Sequence, residues 1–183
     1  ITLPAMNVKT IADKKNIIKS KENAFELEMD VTPASMATTG IELYNAKGEK
    51  VNIYFDMKEK KLVMDRTESG LIEFGKLAVP HDIEKNYADI HQGVGNTPFR
   101  VFNSINYKND FALGTWAPLS LCEGKTYHVD IFVDKCSVEI FVDGGRIAMT
   151  NLVFPTTPYT SVKFYNKGAS SSFRNIKISE LSL

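Results

Sequence analysis

The sequence predicts an all-β fold, an antiparallel β-sandwich of two sheets packed face to face, on three observations. Apolar and polar residues alternate with period two through the readable segments, turn chemistry interrupts them at short intervals, and only 11–19 and 81–91 carry helical spacing. About ten or more short strands need two sheets to hide their apolar faces, with at most one or two short helices beside them.

The alternation begins at Phe25, where Phe25, Leu27 and Met29 interleave with Glu26, Glu28 and Asp30, the pattern of a half-buried strand with an acidic solvent face. Residues 41–44, 51–55 and 61–64 follow as β-rich pieces separated by the polar stretches 45–48 and 58–60, which reads as an antiparallel meander. Residues 101–105 and 111–113 are weaker strand candidates amid Gly93, Gly95, Pro98, Asn109 and Asp110. The strongest pattern spans 127–134 and 137–142, where Val129, Ile131 and Val133 line one face and Val138, Ile140 and Val142 another. Asp134, Lys135 and Cys136 supply the turn between them. Asp143-Gly144-Gly145 then permits positive φ for a reversal into 146–150, so three consecutive antiparallel strands are expected. Residues 161–165 and 172–179 complete the set. The helical openings are 11–19 and 81–91, the second carried by Ile83, Tyr87 and Ile90.

Composition narrows the function classes. A length of 183 residues fits one domain, and 43% hydrophobic against 24% charged residues gives enough apolar surface to offset chain ordering. Lys plus Arg and Asp plus Glu both number 22, so the basic excess of a nucleic-acid binder is missing, while contact with another protein surface stays open. No apolar run exceeds three residues, far from the ~18 that a membrane helix needs. Ile1-Thr2-Leu3-Pro4 has neither an initiating Met nor a signal-peptide layout, and the chain is expected to be part of something longer. Cys122 and Cys136 would sit at opposite ends of a strand, beyond disulfide reach, and are expected to be free thiols.

Local chemistry is sparse. His81, His91 and His128 lack metal-ligand spacing and read as surface or loop residues, so no metal and no cofactor is expected. Neither a nucleophile elbow nor a phosphate-cradling glycine motif occurs; Gly93-Val94-Gly95 is a loop signal. A retaining glycosidase needs two carboxylates ~5 to 5.5 Å apart. Glu26, Glu28 and Asp30 share a face, as do Asp130 and Asp134, but these read as solvated strand faces. Trp116, the sole tryptophan, is placed in a loop before Ala117-Pro118-Leu119 and is the candidate for sugar stacking or partner contact. Tyr54, Phe132 and Phe141 alternate with the Val and Ile positions, so they fall on outward sheet surfaces, where an aromatic patch would suit contact with another domain.

Three stretches resemble the C-terminal β-sandwich of glycoside hydrolase family 32, the group of invertases, inulinases and levanases. They are Leu62-Val63-Met64-Asp65-Arg66-Thr67-Glu68-Ser69-Gly70, the hairpin from Val129 through Ser137, Glu139, Phe141 and Gly144 to Gly145, and Met149-Thr150-Asn151-Leu152-Val153-Phe154-Pro155. Leu3-Pro4-Ala5 is similar to the linker leaving the preceding domain. Cys136 departs from the pattern, standing where Ser is usual, and residues 76–112 match it less closely.

The resemblance implies a concanavalin- or lectin-like jelly roll, with 1–12 the end of an interdomain linker, 13–183 a single sandwich, and a catalytic five-bladed β-propeller upstream. It marks Asp65, Arg66, Ser69, Gly70, Ser137, Glu139, Phe141, Gly144, Phe154 and Pro155 as structural motif residues. The propeller's Asn-Asp-Pro, Arg-Asp-Pro and Glu-Cys motifs do not occur; Cys122-Glu123 is the reversed dipeptide. No catalytic residue therefore carries over. The parent reaction implied is retaining hydrolysis of β-fructofuranosidic bonds in sucrose, inulin or levan. The implied partner is the propeller, which the sandwich would cover and stabilise. Alternatives are a fructan-binding module using Trp116, a homodimer surface through an edge strand such as 25–30, or an adhesive lectin-like sandwich unrelated to fructans. A secreted, periplasmic or cell-surface site is favoured by the resemblance, with the cytoplasm left open.

Overall fold

The computed structural model describes residues 2, 6–8, 13–15, 24–72, 111–122 and 125–181. Among the described residues twelve strands form: β1 (Met6–Val8), β2 (Asp13–Lys15), β3 (Phe25–Thr32), β4 (Thr38–Tyr44), β5 (Lys50–Asp56), β6 (Lys61–Glu68), β7 (Gly114–Pro118), β8 (Tyr127–Val133), β9 (Ser137–Val142), β10 (Ile147–Leu152), β11 (Ser161–Lys167) and β12 (Ser171–Glu180). The described strands make two six-stranded sheets, a first of order β1-β12-β3-β8-β9-β10 and a second of order β2-β11-β4-β5-β6-β7, with every pair antiparallel.

Period two decides what is buried. Phe25, Leu27, Met29 and Val31 of β3 point inward and pack with Ile41 and Leu43 of β4, Ile53 and Phe55 of β5, and Leu62 and Met64 of β6 in one core. The register pairs Val129 with Val142, Ile131 with Ile140 and Val133 with Val138. The two apolar rows of that hairpin, read separately in the sequence, thus lie side by side on the inner face of one sheet. Phe164 and Phe173 meet edge to face at 5.1 Å across the sandwich. Leu119, in a single turn of 3-10 helix at Leu119–Leu121, adds to the core from beside β7.

Several expectations change. Within 11–19, Asp13–Lys15 pairs with β11 as a strand, because the open edge of β11 supplies backbone partners that outweigh local helical spacing. Residues 111–113 are no strand: the Leu113 N–H turns back onto the Phe111 carbonyl at 2.9 Å before β7 begins. Trp116 sits on β7 rather than in a loop. Strand β3 is flanked by β12 and β8, so it offers no free edge for pairing with a second copy. Within 1–12, Met6–Val8 runs as an edge strand beside β12, and Thr2 bridges to Lys177. The stretches 81–91 and 101–105 lie outside the described residues. Both cysteines are free thiols, Cys122 buried and Cys136 exposed.

Candidate functional site

The first and third motifs meet at one place. At the end of β6 the Asp65 carboxylate accepts the Thr67 N–H at 2.9 Å and the Ser69 N–H returns to the Arg66 carbonyl at 3.2 Å, closing a tight turn. Gly70 then lies flat against the Phe154-Pro155 backbone with φ 128°, a conformation open to glycine, and the Leu71 N–H donates to the Phe154 carbonyl at 2.8 Å. Arg66 Nη1 donates to the Leu152 carbonyl at 3.0 Å across 86 residues of sequence. Its guanidinium carbon rests 4.1 Å from the Phe111 ring centroid, and Phe111 packs on Phe154 at 5.8 Å. Burial draws the Arg66 guanidinium below its ordinary pKa.

Tyr159, which no sequence pattern singles out, completes the junction. Its hydroxyl donates to the buried Ser69 carbonyl at 2.5 Å, and burial followed by the Glu49 carboxylate pushes the phenol up, so it stays a donor. Glu49 in turn accepts from the Thr156 N–H at 2.8 Å and from Asn45 Nδ2 at 2.6 Å, pinning the 155–160 loop to the β4–β5 turn. Among the described residues, Arg66 Nε and Ser69 Oγ are buried without a hydrogen-bond partner. Aromatic cover, backbone carbonyls and a glycine wedge make this a clasp between strands β6 and β10. Its groups hold chain against chain and supply no acid–base pair.

The second motif is built on β9 and its turns. Glu139 and Phe141 point outward while Val138, Ile140 and Val142 point in. Phe141 meets Phe132 edge to face at 5.9 Å on the outer surface of the first sheet. Asp143, Gly144 and Gly145 take φ of 50°, 68° and 90°, and the Asp143 carboxylate accepts the His128 N–H at 2.9 Å. At the other end the Asp134 N–H closes on the Ser137 carbonyl at 3.0 Å.

The acidic face of β3 gathers around His128. His128 Nδ1 lies 2.8 Å from Asp30 and Nε2 lies 3.4 Å from Asp130, while Asn175 Nδ2 donates to the other Asp30 oxygen at 2.5 Å. Burial pushes the Asp30 carboxyl up, but hydrogen bonds from His128 and Asn175 and the His128 charge outweigh it, and its pKa falls below the ordinary value. The same Asp30 bond, with Asp130 and Glu28 nearby, raises His128 against the opposing pull of burial. Lys177 reaches Glu28 at 3.6 Å. Asp30 is thus the partner of a cation, and the protonated acid of a glycosidase needs the opposite shift. Among the described residues no three His, Cys, Asp or Glu groups come together to hold a metal.

Trp116 stands on the outer face of the second sheet at its edge, 57% exposed, with Lys61 Nζ 4.4 Å from its ring centroid.

The sequence model of the family described as "Glycosyl hydrolases family 32 C terminal" matches residues 3–180. The chain belongs to this family. Among curated relatives, the family 32 C-terminal chain is 22% identical over 165 residues to a levanase of Bacillus sp. (strain L7), covering 90% of this chain and 14% of that protein. It is 30% identical over 95 residues to a levanbiose-producing levanase of Bacillus subtilis (strain 168), covering 52% and 17%. The chain thus spans under a fifth of these relatives. Among solved structures, a fructosyltransferase from A. japonicus superposes with TM-score 0.69 at 16% identity, over 100% of this chain and 26% of that one. The galectin LEC-6 of Caenorhabditis elegans superposes with TM-score 0.52 at 12% identity, over 95% of this chain and 96% of that one. At these identities the structures establish the fold alone, a lectin-like sandwich.

Proposed function

We propose that this chain is the non-catalytic sandwich of a fructan- or sucrose-hydrolysing enzyme whose chemistry resides in a β-propeller of the same polypeptide. The observation that carries the reading is the family 32 C-terminal match over 3–180, supported by levanases several times the length of this chain. The parent reaction is retaining hydrolysis of β-fructofuranosidic bonds, which needs a nucleophilic carboxylate and a carboxyl held protonated. Asp30 and Glu49, both pushed up by burial but lowered further by the hydrogen bonds they accept, are held ionised and suit neither an acid role nor a free nucleophile. In this reading 1–12 leads in from the propeller and lays β1 on the sandwich as it arrives, and the sandwich stabilises the propeller by covering one flank. The clasp of Asp65, Arg66, Ser69, Gly70, Phe154 and Pro155 ties strand β6 of the second sheet to strand β10 of the first for that task.

Incubation with levan, inulin and sucrose tests the claim. The 183-residue chain alone is expected to release no fructose, while a polypeptide carrying it behind a propeller does. Fructose release by the chain alone, abolished by changing one of its carboxylates, overturns the reading.

A further inference from the structure

The outer face of the second sheet carries a pattern the proposed function does not use. Strand register places Tyr165 beside Gly40, Gly40 beside Tyr54, Tyr54 beside Val63 and Val63 beside Trp116, so one row crosses five strands from β11 to β7. All five positions alternate with core residues such as Ile41, Ile53 and Met64 and therefore belong to the outer face, where Trp116 is exposed and Tyr54 and Val63 are half-buried, while Gly40 and Tyr165 are buried. Gly40 has no room for a side chain, since a Cβ there would fall 2.1 Å from the Ile53 carbonyl oxygen and 2.6 Å from Tyr54 Cα, so the backbone of β5 lies close against it. Aromatic rings thus recur at every second strand, with a small or aliphatic residue between.

The rows on either side are polar. Lys163, Glu42, Asn52 and Asp65 run along one flank, and Lys167, Thr38, Asp56 and Lys61 along the other, each in register across the same strands. Lysines and carboxylates alternate and cancel, which gives no field for a polyanion or polycation but offers donors and acceptors on both sides of an apolar strip. The accessible part of the strip, from Tyr54 to Trp116, spans two inter-strand steps, about 10 Å, and two residues along a strand set its flanking rows about 7 Å away. That footprint is a small part of the ~800 Å² per partner that a stable protein interface buries around an apolar centre. It has the shape of a narrow chain with ring faces for the aromatics and hydroxyls for the flanks. At its open end, Lys61 holds one side of the Trp116 ring at 4.4 Å while more than half of the residue stays exposed.

We propose that this face is a glycan platform, on which an uncharged oligosaccharide lies across the strands along Tyr54, Val63 and Trp116. The aromatic row by itself calls for a neutral sugar chain; the choice of a β-fructan rests on the proposed function. Trp116 and the half-buried Tyr54 stack on ring faces, Tyr165 closes the inner end, and Asp56, Asn52, Asp65 and Lys61 meet the hydroxyls.

Trp116 is the single tryptophan, so its fluorescence reports on the site directly. The 183-residue chain is titrated with levan and inulin oligosaccharides in one arm and cello-oligosaccharides in another. A saturable change in emission with fructans is expected. Tyr54→Ala is expected to weaken it about tenfold or more, as loss of a central aromatic anchor does, with an unchanged circular dichroism spectrum. Thr150→Ala, on the other sheet, is expected to leave it unaltered. Calorimetry follows Trp116→Ala, where the fluorophore is gone, and is expected to show the binding heat lost. A response to cello-oligosaccharides alone upholds the platform and removes the fructan assignment. No saturable response to any sugar, or binding that survives both aromatic substitutions, overturns the platform and leaves the fructose-release test of the proposed function untouched.

Discussion

Replacing Gly70 by Ala tests whether the clasp between β6 and β10 holds the sandwich together. Gly70 has φ 128°, and a Cβ there would sit 2.4 Å from the Phe154 carbonyl oxygen and 2.6 Å from Pro155 Cα. Both neighbours are backbone, so neither can swing aside as a side chain would. Two costs add: about 1–3 kcal/mol for an L residue in a sparsely populated conformation and about 1–3 kcal/mol for overpacking against an immobile neighbour. The sum, about 2–6 kcal/mol, corresponds to a melting-temperature loss of about 4–24 °C for a chain of this size. Gly144→Ala is the internal standard. It too has positive φ, at 68°, but nothing lies within 4 Å of its would-be Cβ, so only the conformational cost of about 1–2 kcal/mol applies. Urea unfolding followed by the Trp116 emission and by circular dichroism gives both values. If Gly70→Ala loses no more stability than Gly144→Ala, the contact with Phe154 and Pro155 does not brace the fold.

Tyr159→Phe removes the hydroxyl that donates to the Ser69 carbonyl and leaves that buried oxygen without this donor. Urea unfolding should show a loss of about 1–3 kcal/mol, and a loss under half the lower figure would mean the bond is replaceable. The His128–Asp30 pair should make stability pH-dependent. His128 is raised, so its contribution is complete below its ordinary value of 6.5 and fades as pH rises through the higher folded value; Asp30 is lowered, so its contribution is complete above its ordinary 3.8 and is lost as pH falls through the lower folded value. The pair is therefore strongest between those two ordinary values. His128→Gln should shrink the stability difference between about pH 5.5 and about pH 8.5, and an unchanged difference in the variant would refute the assignment.

Strand positions were legible because burial on one face imposes a period of two that local residues display. Phe25, Leu27 and Met29, or Val129, Ile131 and Val133, announce their inward face wherever the partner strand comes from. The turn at Asp143, Gly144 and Gly145 was equally legible, since positive φ is a local demand. The pairing of Asp13–Lys15 was not, because a strand of three residues with no apolar alternation is stabilised by the edge it joins. Trp116 misled for a related reason: Gly114 and Pro118 bracket it with loop chemistry, yet an edge strand tolerates both.

Of the candidate sites, the clasp residues stood in the sequence as two separate runs, around Arg66 and around Phe154. Their meeting, and the part Tyr159 plays in it, depend on contacts across 86 and 90 residues of chain. The aromatic row is the same case carried further. Tyr165, Gly40, Tyr54, Val63 and Trp116 come from five strands, and only hydrogen-bond register, set by how each hairpin and crossover closes, lines them up. The sequence by itself determined the class of fold and which side of each strand is apolar, because those follow from residues two apart. Tertiary structure decided which strands neighbour one another and which outward side chains share a row, because that is a sum over distant pairings that no local window contains.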